Sequence, residues 1–344
     1  MILIRKLLFP FALLYGVITA IRNFLFDKGI LKSHRFQIPI IAVGNLSVGG
    51  TGKTPQIEYL IRMLQENYRV ATLSRGYKRK SKGFLLANSN STVSDLGDES
   101  FQYFTKFPSL KVAVDANRVN AINQLLQLEQ KPQVILLDDA FQHRHVHAGK
   151  YILLTAFDDL YVDDFMLPTG NLREFASSAK RAEIIIVTKC PLVLSETEMH
   201  SIKLKLKLKK HQQLFFTSIA YADFVCSENE EIAVETIKKL PKLLVAGIAK
   251  PKPFYDFLLN EKDDYLTFSD HHDFSNSDLE IIKEKAGDRI IITTEKDFMR
   301  LKGKIPKDKL YYLPIKSTFI EKESEFINIL LNYVEQSTRN RKLS

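Results

Sequence analysis

Cysteine is scarce in this chain: its 344 residues include two, Cys190 and Cys226, far apart and outside any CxxC spacing. That excludes a disulfide framework, argues against a thiolate zinc site and fits a reducing, cytoplasmic setting. There is no internal repeat and no long low-complexity tract, and a hydrophobic content of 45% argues against a disordered chain. No aromatic-basic recognition motif accompanies the excess of 49 Lys and Arg over 40 Asp and Glu. A nucleic-acid enzyme would rest on basicity alone. The net charge of +9 favours an anionic partner, whether nucleic acid, a phospholipid surface or nucleotide phosphates, and charge alone does not choose among them. With 45% hydrophobic residues, the length suffices for one large or two medium domains.

The first apolar run is also short. Residues 7–21, LLFPFALLYGVITAI, lie uncharged between Lys6 and Arg22, and as a helix they would extend about 22 Å against a bilayer core of about 30 Å. Continuing through Phe24, Leu25 and Phe26 would reach, with Arg22 and Asn23 near one end. The run is expected to lie in one leaflet or barely span, as an anchor over residues 1–27. A cleaved signal peptide and a buried core helix are the alternatives. Arg22, Lys28, Lys32 and Arg35 follow at once and suit anionic headgroups.

Beyond the anchor, β-branched runs alternate with helical spacing, the pattern of βαβ units around a mostly parallel sheet. The fold class is therefore α/β. Strands are expected at 38–43, 69–73, 111–114, 134–137, 151–154 and 184–188. A second series follows at about 242, 265–268, 289–293 and 310–313. The charged stretch 223–240 reads as a linker between a first domain, 28–222, and a smaller α/β domain, 241–344. IKLKLKLKK at 202–210 has a period of two, but Ser195 followed by Glu198 is a capping box, so a solvated helix is expected there.

The segment IPIIAVGNLSVGGTGKTP, 38–55, runs an apolar strand into a glycine-rich loop and then a helix start. Gly49, Gly50, Thr51 and Gly52 let backbone amides surround phosphates, Lys53 reaches the terminal phosphates, and the Thr54 hydroxyl can hold Mg²⁺. Ser47 stands where the strict phosphate-loop pattern has glycine. The strand at 134–137 ends in Asp138-Asp139, placing carboxylates where the metal of a P-loop NTPase is held. His143, His145 and His147 alternate without a carboxylate or cysteine at ligand spacing and read as surface residues. Neither VTKCP at 187–191 nor TEKD at 294–297 has the spacing of a guanine-binding motif, which favours ATP. Val48 occupies the place of the second lysine in KGGxGKT, against a partitioning-type ATPase.

With those motifs in place, the chain resembles the tetraacyldisaccharide 4'-kinases of lipid A synthesis. The likeness runs through VGNLSVGGTGKTP (43–55), LSRGY (73–77), GDES (97–100), LDDAFQHR (137–144) and LPTGNLREF (167–175). It continues in VTK (187–189), AGIAKPKPF (246–254), FSDHHDF (268–274) and TEKD (294–297). Ala140 and Asn171 replace an expected glycine and proline, and Ser100 and Phe175 stand where proline is usual. The resemblance implies a two-domain kinase at the cytoplasmic face of the bacterial inner membrane, and a monomer is expected. It would transfer the γ-phosphate of ATP to the 4'-hydroxyl of an acylated glucosamine disaccharide 1-phosphate, with no nucleic-acid partner. By the same likeness, Thr54, Asp138, Asp139 and Glu174 surround Mg²⁺, and Lys53, Arg118 and Arg173 serve the transferring phosphate. Asp98 accepts the hydroxyl proton, with His271 as its partner from the second domain, and Arg75 reaches the substrate. A regulatory ATPase that hydrolyses without transfer is the competing reading, and it leaves DHHDF and the REF loop unexplained.

Overall fold

A computed structural model describes residue 5 and residues 7–343, with side chains described through residue 339. The anchor expected over 1–27 forms helix α1, Phe9–Asp27, with Pro10 in its first turn, where a missing N–H costs nothing. Lys6 and residues 1–4 lie outside the described residues.

The larger sheet has nine strands in the order β15-β8-β7-β6-β1-β5-β2-β4-β3. Its centre is parallel: β1 (Ile40–Asn45) lies between β5 (Val134–Leu137) and β6 (Lys150–Ala156). Outward on one side come β2 (Val70–Ser74), β4 (Lys111–Val114) and the two-residue β3 (Leu85–Leu86). On the other are β7 (Ile184–Thr188), β8 (Gln213–Tyr221) and the antiparallel β15 (Ile315–Phe319). Strands covered on both faces are continuously apolar, and side chains alternate between layers. Ile41, Val43, Val134 and Leu136 pack on α2 (Lys53–Gln65) through Ile57, Leu60, Ile61 and Leu64. Ile40, Ala42, Ile135 and Leu137 face Ala121, Ile122 and Leu125 of α4 (Arg118–Gln127). Between these in sequence, α3 (Asp98–Lys106) leads into β4; after β7, α5 (Glu196–Leu206) begins at the Ser195/Glu198 capping box.

The smaller sheet has the order β10-β9-β14-β13-β11-β12. Parallel β11 (Lys242–Ala246), β12 (Asp264–Thr267), β13 (Ile290–Thr294) and β14 (Leu310–Leu313) carry helices α6 (Asn276–Ala286) and α7 (Glu295–Leu301). The sheets divide the chain differently from the expected boundaries. Residues 223–240 hold β9 (Phe224–Cys226), β10 (Glu231–Ala233) and a one-turn helix, because Val225, Val234 and Ile237 are apolar enough to enter the second core. Residues 315–343 return to the first unit: β15 pairs with β8, and α8 (Glu323–Leu343) buries Phe326, Leu330 and Val334 against the larger sheet. Tyr333 pins that return, its hydroxyl accepting from Ile40 N at 3.0 Å.

Candidate active site

Strand order reverses at β1, and in open parallel sheets that crevice at the carboxyl ends receives ligands. The loop after β1 begins with a stitched arm: Val48 N donates to Asn171 O at 2.8 Å and Arg173 N to Leu46 O at 2.7 Å. Residues 171–173 thus travel with the phosphate loop. Gly52, at φ +79, turns the chain into α2, a conformation that L side chains resist. Thr188 at the end of β7 supports the same turn, its hydroxyl donating to Thr51 O at 2.8 Å.

Lys53, Asp139, Arg173 and Asn45 form one polar group. The Lys53 ammonium lies 3.2 Å from Asn45 Oδ1 and 3.6 Å from Asp139 Oδ1. Arg173 forks onto Asp139, with Nη1 3.1 Å from Oδ2 and Nη2 2.9 Å from Oδ1, and Nη2 also reaches Asn45 Oδ1. Burial opposes ionisation of Asp139, but Lys53 and Arg173 hold its carboxyl down to about 2. Asn45 was not anticipated, although it ends the strand in the VGN that opens the loop.

Asp138 behaves oppositely because it points inward. Its Oδ2 accepts from the Tyr103 hydroxyl at 3.1 Å, and its buried Oδ1 has no hydrogen-bond partner. Burial, then the charges of Asp139 and Glu99, push its pKa up to about 6. Arg118, in the first turn of α4, is also buried, with Nη1 donating to Asp115 O at 2.9 Å. Burial lowers it to about 10 despite the nearby Asp138 and Asp139, and Arg75, exposed after β2, repels it.

Glu174 is placed differently. Its Oε2 takes Asn23 Nδ2 and Arg181 Nη1, each at 2.8 Å, while Oε1 is buried without a partner. It ties α1 to the loop that bears Arg173. Arg144 strengthens the tie by donating to Asn23 O at 2.7 Å and to Asp27 Oδ1 at 2.6 Å. Among the described residues, no three His, Cys, Asp or Glu side chains are grouped to hold a metal. His145 instead packs edge-on to Phe26 of α1 at 5.0 Å, and His143 reaches Ala116 O at 3.3 Å.

The second domain reaches the site at Asp98. Gly97, at φ +81, admits no side chain, since a Cβ would sit 2.6 Å from Tyr77 O. That turn starts α3 with Asp98 facing His271, in the loop after β12, and Arg300 of α7. His271, at φ +56, places Nδ1 3.1 Å from Asp98 Oδ2. Burial disfavours the Asp98 anion, yet His271 and Arg300 hold its carboxyl well below the ordinary range. Arg300 carries no sequence signal beyond following TEKD by three positions.

Three groups therefore line the crevice: the phosphate loop with Asn45, Asp139 and Arg173; the inward Asp138 with Tyr103; and the interdomain cluster at Asp98. The family profile Tetraacyldisaccharide-1-P 4'-kinase matches residues 4–335. A tetraacyldisaccharide 4'-kinase of Flavobacterium johnsoniae is 64% identical over 97% of this chain and 98% of its own length. One from Bacteroides thetaiotaomicron is 44% identical over 99% and 96%. A crystal structure of LpxK from Aquifex aeolicus in complex with ATP superposes with a TM-score of 0.78 at 31% identity, covering 96% of this chain and 99% of that one. With its fold, its phosphate loop and these full-length relatives in agreement, the chain belongs to the tetraacyldisaccharide-1-P 4'-kinase family.

Proposed function

We propose that this chain transfers the γ-phosphoryl group of ATP to the 4'-hydroxyl of a tetraacylated glucosamine disaccharide 1-phosphate, in lipid A and lipopolysaccharide biosynthesis. The observation that carries this reading is the phosphate loop with Lys53, Asn45, Asp139 and Arg173 joined at one strand end. Phosphoryl transfer depends on positioning and on cations around the moving oxygens. The amides of Gly49, Gly50, Thr51 and Gly52 cradle the phosphates. Lys53, Arg173 and Arg118 offset charge on the transferring group, with Asp139 holding the first two in place. Asp98 accepts the acceptor hydroxyl proton and His271 is its partner.

The residues also fit Mg²⁺. The partnerless buried Oδ1 of Asp138 is an anionic oxygen that a hard divalent cation would satisfy. Thr54 and Asp138 would hold it, while Glu174 is taken up by Asn23 and Arg181, and when bound it would spread the charge of the β- and γ-phosphates.

The lipid acceptor explains α1. Its inner residues Ala12, Gly16 and Phe26 are buried on the protein, and its outer residues Phe11, Leu14, Ile18 and Ile21 are exposed. A helix docked along its length with one apolar face outward suits the membrane interface, at the cytoplasmic leaflet. The test is γ-labelled ATP with the disaccharide precursor in mixed micelles. A labelled lipid on thin-layer chromatography is expected, and ATP hydrolysis without it would favour the ATPase reading.

A further inference from the structure

Arg300 lies where the two domains meet at Asp98, with only 8% of its side chain exposed. Its orientation is fixed from below by Asp297. That fully buried carboxylate accepts from Gly247 N at 2.8 Å and from the Thr294 hydroxyl at 2.7 Å, and its other oxygen takes Arg300 Nη1 at 3.0 Å. Held this way, Arg300 places Nε 3.3 Å from Asp98 Oδ1 and Nη2 on Asp98 Oδ2. The same Nη2 lies 3.0 Å from His271 Nδ1.

A guanidinium nitrogen can only donate, and Nη2 carries two hydrogens. One goes to Asp98 Oδ2. The other points toward His271 Nδ1, which also lies 3.1 Å from Asp98 Oδ2, so Arg300 calls for the Nδ1 lone pair while Asp98 calls for an Nδ1 proton. Oδ2 already accepts from Arg300, which leaves the Arg300 demand the stronger and the ring proton on Nε2. A ring with its proton on Nδ1 would instead face Arg300 donor to donor. We propose that Arg300 is a positioning residue for the transfer step: it locks Asp98 and His271 in one arrangement and sets the Nε2–H tautomer of His271. This rests on the kinase reading of the site.

A purely structural role is already filled by other pairs. Lys296 bonds Glu99 at 2.9 Å, and Lys106 bonds Glu58 at 2.7 Å and reaches Glu295 as well. The Lys296–Glu99 and Lys106–Glu295 pairs join α3 to α7, and Lys106–Glu58 joins α3 to α2, all without Arg300, so its loss should spare the fold. The charged groups around Asp98 are then His271 and Arg300 in contact, with Glu99, Lys296 and Asp297 beside them.

The test compares the full-length protein with Arg300→Met and Arg300→Lys, reading thermal melting, kcat, KM for ATP and the imidazole ¹⁵N shifts, with His271 assigned through His271→Gln. The wild type should show His271 as the Nε2–H tautomer. Arg300→Met should move it to Nδ1–H, because Asp98 becomes its sole partner, and lower kcat about 10²-fold with KM for ATP unchanged. The acid limb of its pH profile should move to higher pH as Asp98 loses its cation. Arg300→Lys keeps charge but not the fork, and should recover part of kcat. If the Met variant does not fold, the Lys variant decides, since wild-type kcat there would overturn the proposal. So would an Nδ1–H tautomer in the wild type, or wild-type kcat and shifts in a folded Arg300→Met. Absence of lipid phosphorylation by the wild type would sink the kinase reading, while the tautomer measurement would still judge the arrangement.

Discussion

Replacing Leu14 and Ile18 with glutamine tests whether the outer face of α1 belongs in lipid. The two are 60% and 56% exposed and lie four positions apart, so they share one face of the helix. Full burial of such a side chain is worth about 2 kcal/mol, of which slightly over half is open to lipid here, giving about 1.1 to 1.2 kcal/mol each. Losing both removes about 2.3 kcal/mol, a drop of about 40-fold in partitioning onto vesicles. Glutamine is nearly as good a helix former as leucine, so the helix itself should persist. Vesicle flotation at fixed lipid concentration reads the partition, and thermal melting without lipid reads the fold. Unchanged flotation would refute the reasoning. A large loss of melting temperature would show that the face packs on protein instead.

Other outcomes follow from the site. Lys53→Ala should stay folded by circular dichroism and lose about 10² to 10³ in turnover, the usual cost of one electrostatic group. Near-normal turnover would remove the phosphate loop from the chemistry. Asp98→Asn and His271→Ala should each slow lipid phosphorylation strongly while ATP binding persists, and the double variant should be little worse than the slower single. Penalties that multiply would separate their roles. Burial and then the charge of Glu58, with which it shares the Lys106 ammonium, raise the Glu295 pKa above its ordinary value, so the unfolded chain gives up that proton first and stability falls as pH rises above the ordinary carboxylate range. Glu295→Gln should therefore flatten the decline in melting temperature between about pH 5 and about pH 8, and an unaltered decline would show that Glu295 is not its source.

Much of the fold was legible because buried parallel strands announce themselves as short β-branched runs. The stretches 111–114, 134–137, 184–188 and 310–313 coincide with β4, β5, β7 and β14. The helix over IKLKL was legible from its cap, not its periodicity, since Ser195 and Glu198 close a capping box while the Lys-Leu alternation suggested a strand. What escaped was long-range pairing. Nothing local in residues 315–343 says that Ile315–Phe319 will join β8, across the second domain, or that Tyr333 will reach Ile40. The same limit applies at the site. Lys53, Asp138 and Asp139 could be singled out as candidates because each follows a strand in a spaced motif, whereas Asn45, Tyr103 and Arg300 join them only through neighbours brought together by folding. Glu174 carried a motif position, and only the structure revealed its bonds to Asn23 and Arg181.

The most direct test of the central claim is the identity of the product. Purified protein, ATP, Mg²⁺ and tetraacyldisaccharide 1-phosphate in mixed micelles should yield a lipid heavier by one phosphate. Phosphorus NMR should then place the new monoester on the 4'-oxygen, and Lys53→Ala should form it about 10² to 10³ times more slowly. A product phosphorylated elsewhere on the sugar, or ATP consumed with the lipid unchanged, would contradict the account.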